Sequence, residues 1–161
     1  MLSLILRSDV LEIGCHKYSE SPDLEPLLSA LRSSEQRTVE IESEGKRWRK
    51  AIIDDALGLY LLYDYEISKC LELNLCFLPS EGAFSPSNTF NGRLFIDKIA
   101  IASGSSGKPL LGQSSLKFSR AGGGWEAASE FFLVYVRRRG SDLIGNVSIS
   151  FLRRPRFSVE K

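Results

Sequence analysis

Apolar and polar residues alternate along most of this chain, a pattern that predicts β-strands. In the clearest case, residues 70–78, four large apolar side chains fall on one face of the predicted strand: Leu71, Leu73, Leu75 and Phe77. The opposite face would carry Cys70, Glu72, Asn74 and Cys76. Comparable runs predict strands at 3–7, 10–14, 38–42, 58–63, 93–96, 99–102, 131–137 and 147–152, whereas residues 48–53 are ambiguous. Turn-forming residues at 8–9, 97–98 and 140–142 predict three hairpins.

A single stretch has helical spacing. Its leucines recur at i, i+3, i+4 and i+7, the spacing of one apolar helix face: Leu24, Leu27, Leu28 and Leu31. Ser21 is a residue type that caps helices, Pro22 suits the first helical position, and Asp23 favours the positive end of the helix dipole. Pro26 falls in the first turn, where it is tolerated, so the predicted helix ends near Arg32.

Two segments have the composition of loops. Residues 79–91 are rich in Ser, Pro, Asn and Gly, although Phe84 and Phe90 predict that parts of this loop pack against the protein. Glycine and serine dominate residues 103–124, which predicts a long flexible excursion with at most one short strand at 116–118.

These elements predict an α+β fold, a mostly antiparallel β-sheet of roughly seven to nine strands with one short N-terminal helix. Helical patterns do not alternate with the later strands, which argues against a doubly wound nucleotide-binding fold. At 161 residues, and with roughly one domain per 150 residues, the chain is predicted to form a single domain, 1–161. Its 43% apolar and 25% charged residues are typical of globular proteins and exclude a disordered chain.

The charge is unevenly distributed. The net charge is only +1, which gives no overall field to hold nucleic acid or an anionic membrane. Up to residue 44 the chain has nine acidic and four basic residues, a net charge of −5, so the remainder carries +6. Much of that positive charge lies in two arginine runs, 137–139 and 153–156. Beside Phe151 and Phe157 these runs could bind a nucleic acid, but the small net charge favours an acidic protein surface or the acidic N-terminal part of this chain.

The residues that most often carry chemistry form no recognisable catalytic or metal site. His16 is the sole histidine, and Cys15 beside it would point to the opposite side of an extended segment, which argues against a Cys-His pair. Asp54 and Asp55 are interpreted as a turn before the next strand. The glycines of 104–107 and 122–124 lack the full spacing of a phosphate-binding loop. We therefore predict no catalytic residue, no metal and no cofactor.

Three features predict a cytoplasmic protein. Cys15, Cys70 and Cys76 match no disulfide framework or zinc motif and are interpreted as reduced thiols. The first ten residues, MLSLILRSDV, lack a basic residue before their apolar run, which is not the order of a secretory signal. No apolar stretch approaches the roughly 18 residues of a membrane span, so no membrane partner is expected.

One long arrangement resembles a known family. A hairpin ends in LEIG at 11–14, SPDL at 21–24 opens the helix, and three strand sequences follow: DALGLY at 55–60, LELNLCF at 71–77 and FNGRLFI at 90–96. This order resembles small bacterial immunity proteins encoded beside polymorphic or type VI secretion toxins. The resemblance covers roughly residues 10–101 and contains no catalytic signature. Cys15 and His16 depart from the short polar turn expected after Gly14, and residues 102–161 add nothing to it.

The resemblance implies a non-catalytic protein that binds and neutralises a cognate toxin effector, and that is a monomer or small homo-oligomer when free. Aromatic and arginine residues are the usual anchors of protein interfaces, so the candidate partner-binding residues are Trp48, Tyr63, Tyr65, Trp125, Arg137, Arg138 and Arg139. Trp48 and Trp125 fit the core equally well. The alternatives are a structural or scaffold domain of a bacterial secretion or phage-like assembly, self-associating through a strand edge, and a hydrolase that uses His16.

Overall fold

Two β-sheets and two short helices make up the protein, as seen in a computed structural model that describes residues 1–34, 36–43, 46–79, 82, 84–113 and 115–152. The helices are α1 (Leu24–Leu31) and α2 (Leu110–Gln113). The strands are β1 (Ser3–Leu6), β2 (Leu11–Ile13), β3 (His16–Tyr18), β4 (Gln36–Ser43), β5 (Lys46–Asp54), β6 (Leu59–Asp64), β7 (Lys69–Cys76), β8 (Arg93–Ile96), β9 (Ile99–Ile101), β10 (Ser119–Ala121), β11 (Gly124–Ala128), β12 (Phe132–Arg139) and β13 (Leu143–Phe151).

The sheets are mostly antiparallel. A five-stranded sheet has the order β3-β2-β1-β8-β9, and an eight-stranded sheet has the order β10-β11-β12-β13-β7-β6-β5-β4. Among the strands of the described residues, only β1 and β8 pair in parallel. The predicted α+β, mainly antiparallel class is thus confirmed in outline. The thirteen strands of the described residues exceed the predicted seven to nine, and α2 makes the prediction of a single helix wrong.

One continuous core joins the two sheets and α1. All four leucines of the predicted helix face are buried, each at 8% exposure or less: Leu24, Leu27, Leu28 and Leu31. Burying a leucine side chain contributes roughly 1.5–3 kcal/mol, so this face holds α1 in place. The three predicted hairpins, β1–β2, β8–β9 and β12–β13, are confirmed. Gly140, with φ of 65°, supplies the left-handed backbone of the third turn.

The predicted start of the helix is wrong by two residues. Leu24 is its first residue, and the N-cap residue Asp23 makes an ion pair of 2.7 Å with Lys69 while its side chain caps nothing. The hydroxyl of Ser21 donates to the carbonyl of Cys70, and the Cys70 N–H donates to the Pro22 carbonyl at 2.8 Å. Because Ser21 and Pro22 form hydrogen bonds with Cys70 of β7, α1 begins only after them. The predicted end is confirmed, since left-handed Arg32 caps α1.

A β-bulge overturns part of the predicted face of β7. Leu62 of β6 pairs with Glu72, and the next residue, Tyr63, pairs with Cys70, so Leu71 is an extra residue in β7. The extra residue reverses the alternation from this point. As a result Cys70 is completely buried beside the core residue Leu73, whereas Leu71 is half-buried.

The segment 103–124 is more ordered than its composition predicts. It contains α2 and β10, and its last residue begins β11, a strand that the sequence analysis missed. The predicted strand at 116–118 is wrong, although Leu116 and Phe118 are both buried. The backbone N–H of Ser115 donates to Asp97 at 2.6 Å, which ties the segment to the β8–β9 turn. Buried apolar side chains and hydrogen bonds to distant residues hold this segment in place, although its sequence has no regular alternation of apolar and polar residues.

Candidate functional site

A cleft of about 670 Å³ opens where the end of β7 and the start of β6 meet the end of β12 and the start of β13. This volume lies within the usual range for binding clefts. Two arginines and several aromatic and proline residues line it, and we call it the arginine cleft: Tyr60, Leu75, Cys76, Pro79, Gly82, Phe84, Ser85, Pro86, Arg137, Arg139, Gly145 and Asn146.

The floor of the arginine cleft is fixed by strand register. Cys76, Asn146 and Arg137 are paired neighbours across β7, β13 and β12, so their side chains lie in one row. Beyond Arg137 the register shifts, because Arg138 pairs with Ile144 and leaves Gly145 as an extra residue. A methyl group on Gly145 would overlap the side chain of Arg139. The glycine therefore makes the space that Arg139 occupies beside the cleft.

The segment 84–88 forms one wall of the cleft, and Asp55 holds it. Its carboxylate accepts hydrogen bonds from Nε of Arg37 at 2.9 Å and from the N–H of Ser87 at 2.8 Å. The hydrogen bonds from Arg37 and then Ser87 lower the pKa of Asp55 from 3.8 to about 2. On the inner side of this wall the Phe84 ring lies 5.9 Å from the Tyr60 ring, centroid to centroid. A carboxylate outside the cleft thus positions an aromatic residue inside it.

The neighbouring carboxylate has a different role. Asp54 is completely buried and accepts hydrogen bonds from the N–H of Leu57 at 2.9 Å and from the hydroxyl of Ser33 at 2.6 Å. Asp54 therefore closes the turn between β5 and β6, as the sequence analysis predicted. The contacts of Asp55 with the wall were missed, because its partners lie 18 and 32 residues away.

Two arginines bring positive charge to the arginine cleft. Nη1 of Arg139 donates to the backbone carbonyl of Pro79 at 3.0 Å, a neutral partner. Among the described residues, no carboxylate lies within ion-pair distance of Arg137 or Arg139. Burial, and then the charge of Glu72, raise the pKa of Tyr60 to about 12 although the charge of Arg137 lowers it, and burial also raises the pKa of Cys76 against the charge of Arg139. At neutral pH both groups are uncharged, so neither supplies a negative charge to the arginines.

A half-buried polar row lies next to the floor. The Ser148 hydroxyl donates to Oδ1 of Asn74, whose paired neighbour in β6 is Tyr60. Asn74 is 1% exposed. Burial raises the pKa of Glu72 in the same strand, while the side chains of Asn74 and Ser150 lower it. Glu72 is the acidic residue of β7 and lies four residues before Cys76 in the sequence.

The candidate partner-binding residues whose side chains are described do not share one site. Arg137 and Arg139 line the cleft, whereas Arg138, although exposed, does not. Tyr63 is packed against the core, and exposed Tyr65 lies just past the far end of β6, with Nζ of Lys50 4.7 Å from the centre of its ring. The backbone of Trp48 belongs to β5, and its side chain lies outside the described residues.

Trp125 is not an exposed anchor. Its side chain is completely buried, and Gly107 packs so closely on its ring that a methyl group there would overlap it. The strand β11, which places Trp125 in the core, was not recognised in a glycine-rich stretch of sequence. A partner could not contact this tryptophan in the present fold, so the interpretation of Trp125 as a core residue holds.

Of the remaining candidates with chemical groups, His16 and Cys15 lie away from the arginine cleft, and Cys76 lines it. His16 and Cys15 are both exposed, at the start of β3 and in the turn before it. Cys15, Cys70 and Cys76 are free thiols. In the described part of the chain, no three metal-ligating side chains form a group, and neither helix is long and apolar enough to cross a membrane.

Comparison with protein families, with curated proteins and with solved structures found no match to this chain. The resemblance of residues 10–101 to immunity proteins therefore stays a prediction.

Proposed function

We propose that this chain neutralises a bacterial toxin by binding it through the arginine cleft, without catalysing a reaction. The observation that carries the proposal is the pair Arg137 and Arg139, unmatched by a described carboxylate and placed beside Tyr60 and Phe84. Arginine and tyrosine are enriched among the residues that dominate binding energy at protein interfaces. The toxin as partner, and the cytoplasm as the place of binding, rest on the sequence resemblance and on the three free thiols.

The construction of the cleft supports a binding role. Its floor belongs to paired strands, and its wall is tied to β4 and β5 through Asp55 and Arg37. Side chains that are already held in place lose little conformational freedom when a partner arrives, which lowers the cost of association. Such a surface suits a protein that acts by occupying its partner.

The sheet edges give less support to a self-assembling scaffold. The edge strands β3, β9 and β10 have three residues each. The fourth edge, β4, is longer, but it carries exposed Arg37 and Glu40 and has a register irregularity between Ile41 and Ser43. Short, charged and irregular edges discourage pairing with another copy.

Co-expression with the product of the neighbouring gene tests the proposal. We expect the native chain to rescue the growth of cells that make this product, and a stoichiometric complex to be recovered by affinity purification. Arg137→Ala combined with Arg139→Ala should weaken the complex about tenfold or more. The matched pair Arg93→Ala and Arg120→Ala, also exposed arginines, should leave it unchanged. A neighbouring product that is harmless alone and not retained by the native chain would contradict the toxin-neutralising role.

A further inference from the structure

We infer that the arginine cleft accepts an acidic peptide segment of its partner, with carboxylates at alternate positions. This inference rests on the proposed function, because it specifies the chemistry of the toxin surface that the cleft would meet. In this arrangement one carboxylate pairs with Arg137 and the next with Arg139. The residue between or beside them packs on Phe84 and Tyr60.

The charge balance of the cleft favours a carboxylate. Two guanidinium groups line it, and no described carboxylate lies within ion-pair distance of either one. Of the other titratable groups there, the Tyr60 hydroxyl and the Cys76 thiol are uncharged at neutral pH, as described above. Glu72, the nearest acid of β7, lies next to Asn74 in the polar row and is not among the residues that line the cleft. An anionic group would therefore balance charge that the described residues leave unbalanced.

The surroundings strengthen such a pairing. Proline and phenylalanine side chains form much of the wall, namely Pro79, Phe84 and Pro86. Arg137 and Arg139 are exposed, so a carboxylate can reach both of them, and the planar fork of a guanidinium matches a carboxylate with two parallel hydrogen bonds. Arg139 is already oriented by the carbonyl of Pro79 and by the space at Gly145. Its remaining N–H groups are not used by any described residue.

The spacing of the two arginines predicts the spacing of the carboxylates. Arg137 and Arg139 are two residues apart in β12, and the extra residue of the neighbouring bulge lies in β13, so β12 stays extended between them. Alternate residues of an extended strand are about 7 Å apart on the same face. An extended segment of the partner with acidic residues at i and i+2 has the same repeat and can meet both arginines at once.

A single-stranded nucleic acid is the competing occupant, because it also combines negative charge with rings that stack. The charge of the chain argues against it. The net charge is +1, without the excess of positive charge that nucleic-acid-binding proteins usually carry.

An NMR titration of the full-length chain tests the inference without the toxin. The probes are the blocked tripeptide acetyl-Glu-Tyr-Glu-amide, its neutral counterpart acetyl-Gln-Tyr-Gln-amide, and oligothymidylate. We expect the acidic tripeptide to shift the Nε–H resonances of Arg137 and Arg139, with an affinity about five- to thirtyfold higher than that of the neutral one. Arg93 and Arg120, which are exposed on other strands, should not respond.

Arg137→Gln together with Arg139→Gln should remove the difference between the two tripeptides while the thermal melting curve stays that of the native chain. Equal responses to both tripeptides, no response at all, or tighter binding of oligothymidylate to the same arginines would overturn the inference. The co-expression experiment separates the two proposals. A toxin complex that tolerates the double substitution keeps the toxin-neutralising role but overturns the arginine cleft as its binding site, and the inference with it. A toxin complex that the double substitution weakens, in a chain that binds both tripeptides equally, defeats the inference alone. A chain that binds the acidic tripeptide but no neighbouring product defeats the proposed function alone.

Discussion

Replacing Asp55 by Asn should destabilise the protein and loosen the arginine cleft together. Its carboxylate accepts bonds from Arg37 at 2.9 and 3.3 Å and from Ser87 at 2.8 and 3.1 Å. These bonds join β4 to the wall that carries Phe84. An amide in the same place keeps the shape but loses the charge and turns one acceptor into a donor, so at least one of these contacts becomes unfavourable.

The magnitude follows from the pKa of Asp55. The decrease from 3.8 to about 2 corresponds to at most about 2.5 kcal/mol of stabilisation at neutral pH. The side chain is 28% exposed, so solvent screens part of this interaction. We therefore expect Asp55→Asn to lower the free energy of unfolding by about 1–2 kcal/mol.

The lowered pKa of Asp55 also determines how the loss of stability in Asp55→Asn changes with pH. Because the pKa of Asp55 is lower in the folded state than in the unfolded state, its contribution is present above about pH 4 and is lost as the pH falls towards 2. The difference in stability between the native chain and Asp55→Asn should therefore be constant between about pH 5 and 7. It should shrink steadily below about pH 4.

Urea unfolding followed by tryptophan fluorescence measures this difference at each pH. Glu40→Gln is the matched control, since Glu40 is 72% exposed and its only described ion pair, with Lys50, is 3.9 Å long. It should change the stability by less than about 0.5 kcal/mol. Equal stability of Asp55→Asn and the native chain at pH 7, or a difference that persists unchanged at pH 2, would contradict this role of the Asp55 carboxylate. Weaker binding of the acidic tripeptide by Asp55→Asn would show in addition that the wall positions the cleft.

Two other predictions concern the core. Gly107→Ala forces a methyl group into the ring of buried Trp125 and should lower the free energy of unfolding in urea by about 1–3 kcal/mol. Gly112→Ala has open space around it and should not destabilise the chain. Equal effects of the two substitutions would show that the contact of Gly107 with Trp125 is not tight. Burial raises the pKa of the Cys70 thiol and shields it, so a thiol reagent should modify exposed Cys15 at once and Cys70 only as fast as the chain unfolds. Prompt reaction of Cys70 in native buffer would contradict its place in the core.

The local elements of the fold could be predicted from sequence because their causes are local. The leucines of α1 and the turn residues of the three hairpins act within a few positions of themselves. The bulge at Leu71 could not be predicted, since it depends on how Leu62 and Tyr63 of a different strand pair with β7. The buried position of Trp125 likewise depends on Gly107, in a segment whose composition suggested flexibility.

The candidate site was predictable only in part. The arginine run 137–139 was recognised, and the two-residue period of a strand explains why Arg137 and Arg139 share the cleft without Arg138. Tyr60, Phe84 and Asn146 were not recognised, because strand pairing and the contact between two rings bring them together across the sheet. Only the pairing order of β6, β7, β13 and β12 makes one surface of these residues.

Growth rescue with charge-reversed variants shows whether the arginine cleft neutralises the partner. Cells that express the neighbouring gene product would also receive the native chain, Arg137→Glu with Arg139→Glu, or the matched pair Arg93→Glu with Arg120→Glu. We expect full growth with the native chain and the matched pair, and arrested growth with the cleft pair at equal protein level. Full rescue by the cleft pair would contradict the claim that this chain neutralises its partner through the arginine cleft.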